Sequence, residues 1–488
     1  MIEEYEFLII GSGPSAVAAA AMLIELGKKP CIVDAGAIPN SDAENLKIRR
    51  RNGDKDKTKN GVARNQEKTW FNSTFPYEQN TNSNVEYSKD VSVRGSFAKG
   101  GLSAVWGATS SMTWDYSSWP TSCIPSEADV AFVSKILNPS KTTDCCSEDC
   151  GNREIPGSVN STLLQNTFTE NDREHLFSVE ASKLAISSKV EESGCVVCGS
   201  CLNGCAWDAI WQSRSTIDSW LAQGEIDYLP GVYVEKLNEY ENKVEIIVKS
   251  LSNTDANLYA KKVIVAAGVI PTGAILLRSR IVQSLEIKDS STAFGVMFNF
   301  GIKKNEREHH NLSQFWVRSR EKNSFMAQIY PSSTEFTERI FSEFRTARLF
   351  SWFSRHLLQR ANPIISYVDD AHSGTLAMSV EKSRIVVSVN SKPNNEFHKS
   401  ELKKIAKVFR KSRYLLPVFL TRFSNPGTGY HIGASMSHGM LTNELGVPVG
   451  CKNIHIVDAS VLPNVCIGSI TPTVMCNATR IARSLGKE

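Results

Sequence analysis

The sequence carries little net charge for its length: 55 Lys and Arg against 51 Asp and Glu leave +4 over 488 residues. A field that weak gives no reason to expect a nucleic-acid partner or an acidic membrane surface. An unbroken apolar run is also missing. The most apolar stretch, Phe7 to Leu26, is interrupted by Gly11, Ser12, Gly13 and Pro14, so no membrane span is expected. The start lacks basic residues. Met1 to Glu6 holds three Glu and no Lys or Arg, the wrong sign for a secretory leader, and a cytoplasmic protein is expected. No internal repeat and no low-complexity tract is visible.

What remains is an ordinary globular composition, 41% hydrophobic and 22% charged, in a chain long enough for two domains sharing a large core. Twelve Cys are present. In a cytoplasmic chain, clustered Cys serve metal or redox chemistry more often than disulfides.

Phe7 to Ile10 reads as a buried strand. A Gly-rich turn follows, then an Ala-rich helix from about Pro14 to Leu26 stopped by Gly27, then a strand over Pro30 to Asp34. The turn, Gly11-Ser-Gly13-Pro-Ser15-Ala16, fits G-x-G-x-x-A between strand and helix. Gly11 permits the tight turn and Gly13 lets a pyrophosphate approach the backbone. Ala16 allows helix and sheet to pack closely. Asp34 follows about 20 residues on, where a carboxylate accepts from ribose hydroxyls. A bound dinucleotide is expected, with Gly11, Gly13, Ser15, Ala16 and Asp34 around it. The motif does not separate FAD from NAD.

Further along, residues 37–95 are polar and read as an exposed excursion rather than core, and 113–194 give weak signals. A helix is expected from about Trp207 to Ala222. Lys262 to Gly268 reads as a strand ending in small residues, and Gly95 to Ala108 as a small-residue loop able to lie against a flat ligand. Pro271 to Arg280 is expected to be helical. From Ala293 to Asn390 alternating stretches predict an antiparallel sheet, and a helix is expected around Lys399 to Arg413. Ile454 to Val457 reads as a strand, and Pro472 to Leu485 as the last helix. Charge runs such as Arg49 to Arg51, 54–57 and Glu306 to Glu308 read as solvated faces.

Taken together, Gly100-Gly101-x-Ser103, Trp106-Gly107 and Ala266-Ala267-Gly268 carry a resemblance. So do Tyr430-His431-Ile-Gly433, Asp458-Ala-Ser460, Pro463 and Ile470-Thr-Pro472-Thr473. With these segments the chain resembles the glucose–methanol–choline (GMC) oxidoreductases over most of its length. The resemblance implies an α/β fold: a Rossmann-like FAD-binding domain plus a substrate domain built on an antiparallel sheet with helices. It implies a discontinuous FAD-binding domain over 1–36, 90–112, 195–290 and 431–488, and a substrate domain over 291–430. Residues 37–89 and 113–194 are left as excursions. It also implies FAD, hydride transfer from an alcohol carbon to flavin N5, and His431 as the catalytic histidine. Asp458 falls near the pyrophosphate and ribityl chain. Cofactor contacts are expected at Gly100, Gly101, Ser103, Ala267, Gly268, Pro472 and Thr473. The substrate would be a small alcohol or sugar-like molecule, and the electron acceptor is unidentified.

Oxidising an alcohol needs its hydroxyl proton removed, and a His near neutrality suits that task. His438 is a weaker second candidate, and His455 reads as structural. The second catalytic position departs from the family. Thr471 stands where Asn or His is usual; it donates one hydrogen bond but cannot act as a base. Thr471 followed by Pro472 equally reads as a helix N-cap.

Cys195-x-x-Cys198-x-x-Cys201-x-x-x-Cys205 has ferredoxin-like spacing, though Ala206 replaces the usual Pro. Three readings stay open: an iron–sulfur cluster, zinc, or unligated redox-active thiols. Cys145, Cys146 and Cys150 lie upstream as alternative ligands. Cys31, Cys123, Cys451, Cys466 and Cys476 read as ordinary buried Cys. A cluster would favour a dehydrogenase over an oxygen-using oxidase. The rivals are a flavin-dependent reductase or isomerase, and an electron-transfer flavoprotein subunit whose partner holds the substrate.

Overall fold

In a computed structural model, residues 4–487 are described apart from 53–69, 72, 74, 78–84, 92, 94, 113–115, 139–154, 188–193, 202–203, 251–256, 302–308, 322–323, 334–335, 337–356 and 466. The segments 54–57 and 306–308, together with Cys145, Cys146, Cys150 and Cys466, therefore lie outside the described residues.

The first sheet is mainly parallel. Strand β1 (Glu4–Ile10) lies between β2 (Cys31–Val33) and β8 (Leu258–Val265), in register Leu8 to Cys31 and Leu8 to Val263. Beyond β2 comes β5 (Asp227–Leu229). The first half of β8 pairs antiparallel with β7 (Val244–Ser250), which continues to β6 (Val232–Glu239). Its second half pairs parallel with β19 (Ile454–Ile456). The near-continuous apolar runs of β1 and β8 suit strands covered on both faces.

Helix α1 (Pro14–Glu25) crosses one face of this sheet. Its Ala residues let it approach α8 (Ile470–Leu485) closely, and Ala16, Ala19, Ala478 and Ala482 share one fully buried cluster. Gly27, at φ +75°, ends α1 in the left-handed conformation that glycine adopts without a Cβ penalty. On the opposite face lies α6 (Val269–Arg278). Helices α3 (Glu127–Leu137) and α5 (Ser213–Gln223) complete the α1 side.

The second sheet is antiparallel. It runs β16 (Tyr414–Leu415), β10 (Thr292–Asn299), β13 (Ala361–Val368), β12 (Phe325–Ile329), β11 (Phe315–Ser319) and β4 (Phe177–Ala181), with β17 (Arg422–Phe423) also on β10. One face packs on α4 (Val159–Asn171) and α7 (Asn395–Lys411) through Phe168, Phe315, Phe325, Ile405 and Phe409. On the other face Trp316, Met326 and Tyr367 pack against Ile467, ahead of the last helix. A third sheet joins the halves: β18 (Ile432–Gly433), β9 (Ser284–Asp289), β14 (Thr375–Glu381), β15 (Arg384–Ser391) and β3 (Val85–Tyr87).

The α/β class, the Rossmann-like sheet and the antiparallel sheet with helices are as expected. Two details differ. Residues 37–95 are not all surface: α2 (Ser41–Arg51) and the side chains of Trp70, Phe71 and Phe75 form a buried cluster with Ala98 and Ala206. Aromatics scattered among polar residues give no periodic signal, which hid them. The helix expected from Trp207 starts at Ser213, because Trp207 to Gln212 runs as loop beside the Cys-rich turn. No helix among the described residues is long and apolar enough to cross a membrane.

Candidate active site

The site grows from the C-terminal edge of the parallel sheet. Gly11 follows β1 at φ +98° and its N–H donates to Val33 O at 2.8 Å. A Cβ at Gly11 would sit 2.6 Å from Ala266 O and 2.9 Å from Ala267 Cα, so the end of β8 presses directly on the turn. Gly13 precedes α1, and nothing lies within 4 Å of where its Cβ would point. That open side leaves the N-terminus of α1 accessible to an anion.

Ser12, in the middle of the motif, ties three segments together. Its hydroxyl donates to Asp34 Oδ2 and accepts from Gly100 N–H at 2.8 Å. The loop after Gly100 is thereby laid on the glycine turn, and a Cβ on Gly101 would stand 3.5 Å from Gly13 Cα. Ser103 locks the other end, donating to Gly100 O at 2.6 Å and accepting from Ser213 N–H at 3.0 Å. Tyr228 also donates to Asp34, at 3.2 Å. Burial pushes the Asp34 carboxyl up to about 6, against the lowering effect of these donors. Neither Ser12 nor Tyr228 is a sequence-predicted residue. Ser12 was hidden at a position the motif leaves free, and Tyr228 gave no signal at all.

Asp458 lies two residues beyond the strand β19 and is buried. Its Oδ2 accepts from Gly268 N–H at 2.9 Å and from the Thr272 hydroxyl, and its Oδ1 from Ser460 N–H at 2.9 Å. It joins the end of β19 to the start of α6, where Gly268 adopts φ +87°. Burial raises its pKa above the usual carboxylate range.

The last helix begins earlier than expected. Ser469 is the N-cap residue of α8, so Thr471 and Pro472 occupy its second and third positions. The N-cap reading of Thr471 is therefore corrected. Ser469 spends its hydroxyl on Thr109 O, and α8, like α1, has no side-chain cap. Both helices leave first-turn N–H groups for other partners. Thr471 is half-buried, and Pro472 and Thr473 are buried. The buried hydroxyls of Ser111 and Thr473 have no hydrogen-bond partner among the described residues.

His431 enters the site from the third sheet. Its carbonyl accepts from Ser290 N–H at 3.0 Å, just before Ile432 pairs with Asp289. The half-buried imidazole stacks on Tyr367 with ring centroids 5.0 Å apart and planes 18° from parallel. Tyr367 packs with Trp316, Met326 and Ile467. Ile467 and Gly468 lead into α8, and a Cβ on Gly468 would meet Met326 at 3.4 Å. The chain of contacts runs from His431 through Tyr367 to the start of α8, and from Ser469 to Thr109 of the small-residue loop. Five segments distant in sequence meet there.

His438 belongs to the framework instead. Its Nδ1 faces Asn443 O at 2.8 Å and its Nε2 faces Asn477 Nδ2 at 3.2 Å. Burial pushes it down to about 4. With both ring nitrogens engaged and the ring neutral, it is not the second catalytic candidate. His455 is likewise buried, with Nδ1 3.2 Å from Leu445 O.

The Cys-rich turn lies beside the small-residue loop. Cys195, Cys198, Cys201 and Cys205 line one cavity, and a neighbouring cavity is lined by Val105, Trp106, Cys201 and Cys205. The turn is held by positive φ at Val197 (+58°), Gly199 (+70°) and Gly204 (+99°). Three backbone N–H groups point at sulfur: Val197 to Cys195 at 3.4 Å, Asn311 to Cys201 at 3.5 Å, and Ala209 to Cys205 at 3.3 Å. Yet among the described residues no three His, Cys, Asp or Glu converge as a single ion requires. Zinc draws its sulfurs to about 2.3 Å from one point. Burial raises the Cys195 and Cys201 thiols.

No family model and no curated protein matches this sequence. Among solved structures it is similar to the crystal structure of pyridoxine 4-oxidase from Mesorbium loti, with a TM-score of 0.60 and 14% identity, covering 99% of each chain. At that identity the likeness is one of fold, and it extends from end to end.

Proposed function

From a fold shared along the whole chain, we propose that this protein is a GMC-type oxidoreductase that binds FAD and oxidises the hydroxyl of a small alcohol or sugar-like molecule. The observation that carries the reading is the convergence just described. An open glycine turn, two uncapped helix N-termini and unpartnered buried hydroxyls surround one edge of the sheet, with His431 brought in from the opposite side. These residues fit a flavin dinucleotide. Gly11, Gly13, Ser15, Ala16, Gly100 and Gly101 would hold its diphosphate and ribityl region. Ser103, Ala267, Gly268, Pro472 and Thr473 would surround the rest. Bound FAD supplies the hydride acceptor.

The chain's own part is to hold the alcohol and take its proton. His431 accepts the hydroxyl proton as the C–H bond breaks. The start of α8, with its positive dipole end, favours negative charge nearby. Thr471 offers one hydrogen bond from a half-buried hydroxyl.

The reading favours a dehydrogenase over an oxidase, on the Cys-rich turn set against the small-residue loop. Cys195, Cys198, Cys201 and Cys205 line one cavity without converging on a single ion, and a cluster held there would supply single-electron transfer to an acceptor. A cytoplasmic setting, where thiols stay reduced, is part of the same reading.

The test is direct. The protein is purified without oxygen, its visible spectrum is recorded, and iron and sulfide are assayed. Benzyl alcohol, glucose, choline and pyridoxine are then mixed with it anaerobically. Bleaching of bound flavin by one of them is expected, and loss of that bleaching by about 10²- to 10⁴-fold in His431→Asn. A colourless protein that refuses FAD would end the proposal. Bound flavin without iron would remove the cluster alone.

A further inference from the structure

We propose that the Tyr367 hydroxyl is the second group that binds the reacting oxygen, working beside His431 where Thr471 is too short. This rests on the function proposed above. The argument begins with strand parity. On β13, Ile364 and Val368 face the core formed with α4 and α7, and Ser366 meets His398 of α7 at 2.8 Å. Tyr367 therefore faces the other way, toward the cofactor half, opposite Met326 on one neighbouring strand and Thr292 on the other. Its ring lies flat against the His431 imidazole and touches Ile467, three residues before α8 begins.

The hydroxyl itself is the second observation. Tyr330, nearby, donates to Gln328 Oε1 at 3.1 Å. Tyr367 is 8% exposed, and no hydrogen bond commits its hydroxyl to a described residue. With no partner among the described residues and part of its surface still accessible, the hydroxyl is open to a ligand. Burial and the neighbouring Tyr330 hold this phenol well above its ordinary range. It stays protonated at neutral pH, so it can donate a hydrogen bond but does not take the substrate's proton. His431 is the group able to accept.

The two roles then balance. The substrate O–H proton passes to His431, and the carbinol hydride passes to bound FAD. The C–O single bond becomes C=O. Tyr367 keeps its proton and donates a hydrogen bond to the oxygen as negative charge develops there. This is the service that oxyanion donors perform.

Tyr367→Phe removes the hydroxyl and keeps the stacked ring. FAD content and melting temperature, measured first, are expected to match wild type. Flavin reduction by the fastest alcohol of the panel named above is expected to slow by about 10²-fold. The deuterium isotope effect on the alcohol C–H should be retained. Benzoate, whose carboxylate imitates the oxyanion, should perturb the flavin spectrum with at least tenfold weaker affinity in Tyr367→Phe and unchanged affinity in Tyr330→Phe. Reduction within threefold of wild type together with unchanged benzoate affinity would overturn the assignment. His431→Asn separates the two readings. If it abolishes reduction while Tyr367→Phe does not, this inference alone fails. If neither variant slows reduction, the catalytic reading of His431 fails as well.

Discussion

The glycine turn and the Cys-rich turn are built from the same materials and anchored in different ways. Both use left-handed backbone, at Gly11 in one and at Val197, Gly199 and Gly204 in the other. The glycine turn is fixed by its neighbours in the sheet: Gly11 bonds to β2, and the end of β8 lies against it. The Cys-rich turn hangs on side chains from far away. Asn311 donates to Gly199 O, and Arg51 donates to Ala206 O. A motif held by adjacent strands keeps its geometry wherever the strands form. A motif held by remote side chains has whatever geometry the rest of the fold delivers.

That contrast can be broken in four ways. Gly11→Ala is expected to do most damage, since a Cβ would stand 2.6 Å from a backbone oxygen at φ +98°. The variant should retain no flavin per chain after gel filtration, and stoichiometric FAD would contradict the assigned role of the turn. Next is a pH effect confined to the glycine turn. Asp34 is raised from 3.8 to about 6 by burial, so the folded chain binds this proton more tightly. Its contribution to stability is complete below about pH 4 and is lost as pH rises to about 6. Urea midpoints of the apoprotein should fall across that window relative to Asp34→Asn, whereas parallel curves would refute the burial argument. The Cys195 and Cys201 thiols are pushed upward and add nothing there.

Ser12→Ala comes third. It strips Gly100 N–H of its acceptor and Asp34 of a donor, at about 1–3 kcal/mol in apoprotein unfolding. Unchanged unfolding would mean that the loop is held elsewhere. Gly199→Ala is the mildest. Its Cβ would make only ordinary contacts, the nearest at 3.6 Å, so the cost is that of φ +70°, about 1–2 kcal/mol. FAD content should not change, while the Cys thiols should react faster with a disulfide reagent. A loss of FAD here would show that the two turns are not separately anchored.

The legible parts of the chain were those whose period is local. β1, α1 and β2 could be read because apolar runs, an Ala-rich helix and one acid sit at short spacing. The strands around Phe325 and Ile385 were legible by alternation. Trp70, Phe71 and Phe75 were not, because they are isolated aromatics in a polar stretch whose partners, Ala98 and Ala206, come later in the chain. The start of α8 was misjudged because Thr-Pro is a strong cap signal on its own. Ser469 takes the cap position, with its hydroxyl bonded to Thr109 instead. Tyr367 looked like any strand aromatic until β13 was packed against α7 on its opposite face.

By itself the sequence determined the glycine turn, the alternation that builds the antiparallel sheet, and the supply of imidazole and thiol groups. These follow from backbone sterics and side-chain period, which act over a few residues. Tertiary structure decided which His meets a tyrosine and which is immobilised between Asn443 and Asn477. It also decided that four cysteines share a cavity without converging on one point. Those outcomes depend on where sheets and helices from distant parts of the chain come to rest, because hydrogen bonding and stacking act only across the last few ångströms.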